Sequence, residues 1–133
     1  MKKFLLAYNP VSGDAMFKKK LDDIINQFQS RDCIILPYRT KTESFDPFFA
    51  NCVRNVNADG IIAAGGDCTL HKIINMTLKE NLDVPVGIIP SGTSNDFASH
   101  LGIDAKFDEY INSIITGKTQ YVDVGSIGDE YFI

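Results

Sequence analysis

The residues best suited to chemistry fall in three short segments. They are Asn9-Pro10-Val11-Ser12-Gly13, Gly65-Gly66-Asp67-Cys68-Thr69 and Pro90-Ser91-Gly92-Thr93-Ser94-Asn95-Asp96-Phe97. The middle segment follows an apolar run and opens a helical pattern. Glycines at such a junction let backbone approach a ligand closely. The helix N-terminus behind them offers unpaired N–H groups and a partial positive charge, which suits phosphate. Thr69 adds a hydroxyl donor. Asp67 is unexpected beside an anion. It fits if it orients a ribose hydroxyl, a protonated group or a hydrated magnesium ion. The plainer reading is a tight strand-to-helix turn with Asp67 as N-cap. The last segment repeats the theme, with short hydrogen-bonding side chains at Ser91, Thr93, Ser94 and Asn95. The first segment is weak alone, since Asn-Pro and Ser-Gly are common turn dipeptides. Capping could explain two such junctions; a third on the same rim makes capping alone a poorer explanation.

Other chemistries lack support. No G-x-x-x-x-G-K-[ST] motif occurs: Gly87 to Thr93 has the glycine spacing, but no lysine follows Gly92. No G-x-G-x-x-G occurs either. His71 and His100 are far apart and show no metal-ligand pattern, so each reads as a satisfied or exposed histidine. The three cysteines, Cys33, Cys52 and Cys68, are odd in number and widely spaced. They imply neither a disulfide framework nor a zinc site, and they suit a reducing, cytoplasmic compartment. The residues alone designate no metal ligand.

The elements that would hold these segments follow from periodicity. Residues 4–8, 33–36, 61–64 and 86–89 are short apolar runs, read as buried strands. Between them Phe17, Leu21, Ile24, Ile25 and Phe28 recur at helical spacing, with Asp14 as candidate N-cap. Asp46-Pro47 reads as a cap followed by proline at the first helical position. Phe48, Phe49, Cys52, Val53 and Val56 give that helix an apolar face. Leu70, Ile73, Ile74 and Leu78 mark a third helix. A short one is expected over residues 95–101. Phe107, Tyr110, Ile111, Ile114 and Ile115 mark a last one, closed by Gly117. Alternating apolar strands and amphipathic helices predict an α/β fold, a three-layer sandwich around a mostly parallel sheet. Ligands in such sheets sit at the carboxyl ends of the strands, where all three polar segments fall.

Composition bounds the partners. The chain has 133 residues, 44% hydrophobic and 23% charged, with a formal net charge of −4. That suits a globular domain and excludes a dominant duplex nucleic-acid partner, which needs a basic face. Lys18, Lys19 and Lys20 read as a solvated helix face. The apolar run near Met1 stops at Asn9-Pro10, too short for a signal peptide. No stretch reaches transmembrane length, so a lipid substrate would be met by peripheral, transient contact with a membrane surface. Residues 121–133 read as a hairpin that stops in mid-strand at Tyr131-Phe132-Ile133. An exposed apolar edge of this kind invites pairing, including homo-oligomer formation. We therefore expect a nucleotide-binding domain over residues 1–120, and over 121–133 the start of a second, β-rich domain that is truncated here.

Taken together, the segments resemble the diacylglycerol kinase catalytic domain family, which includes bacterial lipid kinases and the cores of diacylglycerol, sphingosine and ceramide kinases. That family opens with a strand and Asn-Pro-x-Ser-Gly, matched by Asn9 to Gly13. Its central Gly-Gly-Asp-Gly-Thr is matched except at Cys68. Its Gly-Thr-x-Asn-Asp-Phe-Ala is matched from Gly92 to Ala98. Val122-Asp123-Val124-Gly125 and Phe132 resemble its closing strand and the turn beyond. The resemblance implies a two-domain, ATP- and Mg2+-dependent lipid kinase whose first domain is phosphofructokinase-like. It implies that Gly65, Gly66, Asp67 and Thr69 approach the ATP phosphates. Asn9, Ser12, Gly92 and Thr93 would line the nucleotide pocket. Asn95 and Asp96 would sit at the cleft edge, Asp96 in a magnesium-linked network. It places the carboxylate that deprotonates the lipid hydroxyl beyond this chain, leaving no catalytic base here and the chain inactive alone. The alternatives are an NAD kinase, which shares Gly-Gly-Asp-Gly-Thr, and a non-catalytic nucleotide-binding homologue.

Three departures from the family pattern support the non-catalytic alternative. Cys68 stands at a glycine position: it costs roughly a kcal/mol or more if φ is positive there, and only crowds the nucleotide if the backbone is ordinary. His71-Lys72 stands where many members have Asn-Glu, and Ser99 where arginine often follows.

Overall fold

The run Phe4-Leu5-Leu6-Ala7 is apolar at every position because its strand is covered on both faces. In the computed structural model, which describes residues 1–9, 15–40, 46–65, 67–90, 107–117, 125–127 and 130–132, this strand is β1 (Lys2–Tyr8). It is followed by α1 (Ala15–Gln29), β2 (Cys33–Arg39), α2 (Pro47–Val56), β3 (Gly60–Gly65), α3 (Asp67–Lys79) and β4 (Val86–Pro90). Then come α4 (Phe107–Thr116), β5 (Gly125–Ile127) and β6 (Glu130–Phe132). The first four strands form one sheet in the order β2-β1-β3-β4, parallel at every pairing.

Alternation along β1 divides the core in two. Phe4 and Leu6 point to one face, where they pack with Ile24 and Phe28 of α1 and Ile111 of α4. Phe4 and Phe28 meet edge to face, with ring centroids 5.5 Å apart. Leu5 and Ala7 point to the other face, against Phe49 and Val53 of α2 and Leu70, Ile73 and Met76 of α3. Helices on both faces make the predicted three-layer α/β sandwich. β3 is buried throughout, as its Gly-Ile-Ile-Ala-Ala-Gly sequence requires.

Capping follows the sequence where its signals are explicit. Asp46 is the N-cap of α2 and Pro47 occupies its first turn. Gly117 closes α4 at φ +72°. Asn57 (φ 52°) and Asn81 (φ 53°) take the left-handed conformation just beyond α2 and α3, an arrangement asparagine tolerates.

The structure differs from the sequence reading in several places. β2 runs on through Pro37 to Arg39. Proline is tolerated there because β2 is an edge strand. Phe48, assigned to the buried face of α2, is 58% exposed, because Phe49, Ala50 and Val53 take that face. Leu78 of α3 is likewise exposed, and Met76 fills the core instead. The expected cap Asp14 and the helix over 95–101 lie outside the described residues. At the C-terminal end β5 and β6 pair antiparallel, with Ser126 opposite Tyr131, and β6 runs beside α3. The hairpin reading holds over these strands, while residues 121–124 lie outside the described set. Among the described residues no helix is long and apolar enough to cross a membrane.

Candidate functional site

Strand order defines where a ligand would sit. From β1 the chain moves to β2 on one side, then crosses to β3 and β4 on the other. The reversal falls between β1 and β3. In open parallel sheets the crevice beyond the carboxyl ends at such a point is the usual ligand site.

Register brings the sequence segments to that crevice. Tyr8 pairs with Ala64, so the backbone leaves β1 at Asn9 beside the end of β3 at Gly65. Gly65 in turn pairs with Pro90, the last residue of β4, from which the chain runs into Ser91. On the outer side Tyr8 pairs with Arg39, and Thr40 donates both its backbone N–H (2.9 Å) and its hydroxyl (3.2 Å) to the Tyr8 carbonyl. All four strands of the sheet therefore end along one rim.

The turn from β3 into α3 is tightly packed. Gly65 has φ +155°. A β-carbon there would stand 2.6 Å from Thr69 Oγ1 and 2.8 Å from Thr69 Cβ, so only glycine lets α3 start this close to the strand. Thr69 is buried, with 4% of its surface exposed. α3 opens on Asp67, and its first-turn N–H groups have no partner within the helix. Thirteen residues of aligned peptide dipoles stand behind them, giving this end a partial positive charge. Cys68 is exposed in the first turn, and its φ is not positive, so cysteine carries no backbone penalty here. Any effect of replacing glycine is thus steric, toward whatever approaches the helix.

The structure brings together Asn9, Gly65, Asp67 and Thr69 of the residues singled out by sequence. Asn9 is half-buried. Ser12, Gly66, Gly92, Thr93, Asn95 and Asp96 lie outside the described residues, as do Ser99 and His100. His71 is exposed on α3, with Asn75 Nδ2 3.2 Å from its Nε2, consistent with an exposed, satisfied histidine. Among the described residues no group of three His, Cys, Asp or Glu side chains converges.

Sequence reasoning missed the outer part of the rim. Tyr38, near the end of β2, donates its phenolic hydrogen to Asp46 Oδ2, and Asp46 Oδ1 accepts from the Phe49 N–H at 3.4 Å. Burial, first, and then the Asp46 hydrogen bond and charge push the Tyr38 hydroxyl well above its ordinary range. Asp46-Pro47 carried the cap signal, but nothing in sequence joins Tyr38 to it. Away from the rim, a cavity lies between the C-terminal ends of α2 and α3, lined by Arg54, Asn57, Asn81 and Asp83 among others. There Arg54 donates to the Glu80 carbonyl (2.7 Å) and pairs with its carboxylate (3.2 Å), fastening the two helix ends together.

Comparison with known proteins shows the family and the fold. Residues 3–127 match the model of the diacylglycerol kinase catalytic domain. The chain is 33% identical over 132 residues to a diacylglycerol kinase of Staphylococcus epidermidis, covering 99% of this chain and 42% of that protein. It is 34% identical over 128 residues to one of Staphylococcus haemolyticus, covering 96% and 39%. A diacylglycerol kinase crystal structure from Bacillus anthracis superposes with a TM-score of 0.76 at 27% identity, over 98% of this chain and 45% of that one. The chain thus spans less than half the length of these relatives.

Proposed function

This chain belongs to the diacylglycerol kinase catalytic domain family, and from that premise we propose that it is the nucleotide-binding part of an ATP-dependent lipid kinase. The observation that carries the reading is the convergence of Asn9, at the end of β1, with the Gly65–Thr69 turn at the reversal point of the sheet. Triphosphate oxygens would lie against the first turn of α3, where backbone N–H groups and the helix dipole favour negative charge. Gly65 supports this by admitting the helix close to the strand. Asn9, Ser12, Gly92 and Thr93 would line the nucleotide pocket, Gly66 would approach the phosphates with Gly65, and Asn95 would sit at the cleft edge. Asp67 supplies a carboxylate for a ribose hydroxyl or for the hydration shell of magnesium, with Asp96 in the same network. Magnesium, when bound, would supply neutralisation of the phosphate charge.

The reaction moves the terminal phosphoryl group to a lipid hydroxyl. The bond from that phosphorus to the bridging oxygen breaks, releasing ADP. A bond to the lipid oxygen forms, and the hydroxyl proton leaves to a base. This chain's part is positioning and charge neutralisation. We assign the base and the lipid-binding surface to the rest of the full-length protein, since this chain spans less than half the length of its relatives. Residues 121–133 would open the second, β-rich domain, and residues 1–133 alone are expected to bind nucleotide without turnover. The full-length protein would be cytoplasmic and would touch the membrane surface transiently.

Labelled ATP and magnesium, offered to the full-length protein with diacylglycerol, sphingosine or NAD in separate reactions, test the reading. Label in a lipid, lost in Asp67→Ala, supports it. Label in NAD would make it an NAD kinase. ATP binding with no transfer to any acceptor would make it a non-catalytic binding protein.

A further inference from the structure

We propose that Tyr38 is a positioning residue for the nucleotide site, acting through its hydrogen bond to Asp46; this rests on the kinase reading above. Tyr38 and Asp46 are both buried, with 8% and 4% of their surfaces exposed. The ring of Tyr38 packs edge-on against Phe49 (centroids 5.3 Å apart) and tilted over Phe48 (6.0 Å). A phenylalanine would serve those contacts equally. The hydroxyl is therefore present for a polar purpose, since burying it is unfavourable unless it is bonded. Its partner carboxylate is shared: Oδ2 accepts from Tyr38 and Oδ1 accepts from the Phe49 N–H at the start of α2. One side chain thus joins the end of a strand to the beginning of the next helix.

That junction continues to the candidate site. Thr40, two residues beyond Tyr38, places its N–H and hydroxyl on the Tyr8 carbonyl at 2.9 and 3.2 Å. Tyr8 immediately precedes Asn9. The order of contacts is therefore Asp46, Tyr38, the β2 terminus with Thr40, Tyr8, Asn9. Fixing Tyr38 fixes the end of β2 and, through Thr40, the β1 backbone that continues into Asn9. Burial keeps the phenol protonated over the ordinary pH range, so it remains a donor. A purely stabilising role would also account for the bond, and the test separates the two.

The test uses the full-length protein and its Tyr38→Phe and Asp46→Asn variants, with folding checked by circular dichroism. Asp46→Asn keeps one cap-competent oxygen but cannot serve both donors equally. Both variants are expected to raise the KM and Kd for magnesium-ATP about three- to tenfold, the partly transmitted worth of one hydrogen bond. The kcat and the KM for lipid should change little. Phe48→Ala, which removes a ring contact and no hydrogen bond, is expected to leave the ATP KM unchanged. A folded Tyr38→Phe protein with lower thermal stability and an unaltered ATP KM would overturn the proposal alone. A wild type that binds no nucleotide would overturn the kinase reading and this proposal with it.

Discussion

Thr69 lies against the α-carbon of Gly65, its Cβ only 2.8 Å from where a Gly65 β-carbon would be. The crowding fixes how α3 leaves β3, and so where the unpaired N–H groups of the helix point. Gly65→Ala should both strain φ +155° and push the first turn of α3 outward. We expect a cost of about 1–3 kcal/mol, read as a fall in melting temperature, with weakened ATP binding by calorimetry. Thr69→Ala should not rescue the variant, since the β-carbon that clashes remains. Full rescue would mean that only the hydroxyl is in the way.

The Asp46 side chain accepts from Tyr38 and from the Phe49 N–H, and its loss strands the phenol, while the N–H keeps the Asp46 backbone carbonyl at 3.2 Å. Asp46→Ala should cost about 2 kcal/mol or more, combining a lost helix cap with an unsatisfied buried phenol. Chemical denaturation of the variant and the wild type reads this directly. A change within about 0.5 kcal/mol, the usual range for surface substitutions, would remove Asp46 from the account.

The Tyr38 hydroxyl also predicts an alkaline signature. Its folded pKa lies above the ordinary value of 10.0, chiefly through burial and then through Asp46. The unfolded tyrosine ionises first as pH rises. The stabilisation is therefore complete below about pH 10 and declines above it, toward the folded pKa. Between about pH 9 and 11 the wild type should lose more stability than Tyr38→Phe. Parallel losses in the two proteins would show that Tyr38 does not carry the linkage.

The cysteines should react in the order of their exposure. Cys68 is exposed, Cys52 is half-buried and Cys33 is buried. A thiol-specific dye should therefore modify Cys68 first, Cys52 more slowly and Cys33 only on unfolding. Because the backbone at Cys68 is ordinary, Cys68→Gly relieves crowding and no strain. It should raise nucleotide affinity or activity in the full-length protein. No change in either would show that cysteine is accommodated and would remove one support for a non-catalytic homologue.

Much of this architecture was legible in sequence because its strands are buried on both faces. Continuous apolar runs such as Phe4 to Ala7 and Ile61 to Ala64 admit few other readings, and Asp46-Pro47 and Gly117 mark helix ends through local chemistry. Sequence also put Asn9 and the Gly65–Thr69 turn on one rim, since parallel strands must end together. What it did not convey depends on tertiary contact. Pro37 hid the length of β2, because only an edge position makes proline acceptable there. Phe48 and Phe49 are adjacent and alike in composition, and packing alone decides which one is buried. The Tyr38–Asp46 bond links residues whose separation matches no local motif. Thr40, which donates to the Tyr8 carbonyl, gave no signal beyond an ordinary strand end.

Cys68 also provides the most direct test of where the nucleotide lies, because its exposed thiol stands in the first turn of α3. The measurement is the rate of Cys68 alkylation in the full-length protein, titrated with magnesium-ATP, with Cys52 as internal reference. If the phosphates rest on the head of α3, nucleotide should slow Cys68 alkylation in step with its binding isotherm and leave Cys52 unaffected. An unchanged Cys68 rate, at concentrations where calorimetry shows ATP bound, would place the phosphates elsewhere and contradict the account.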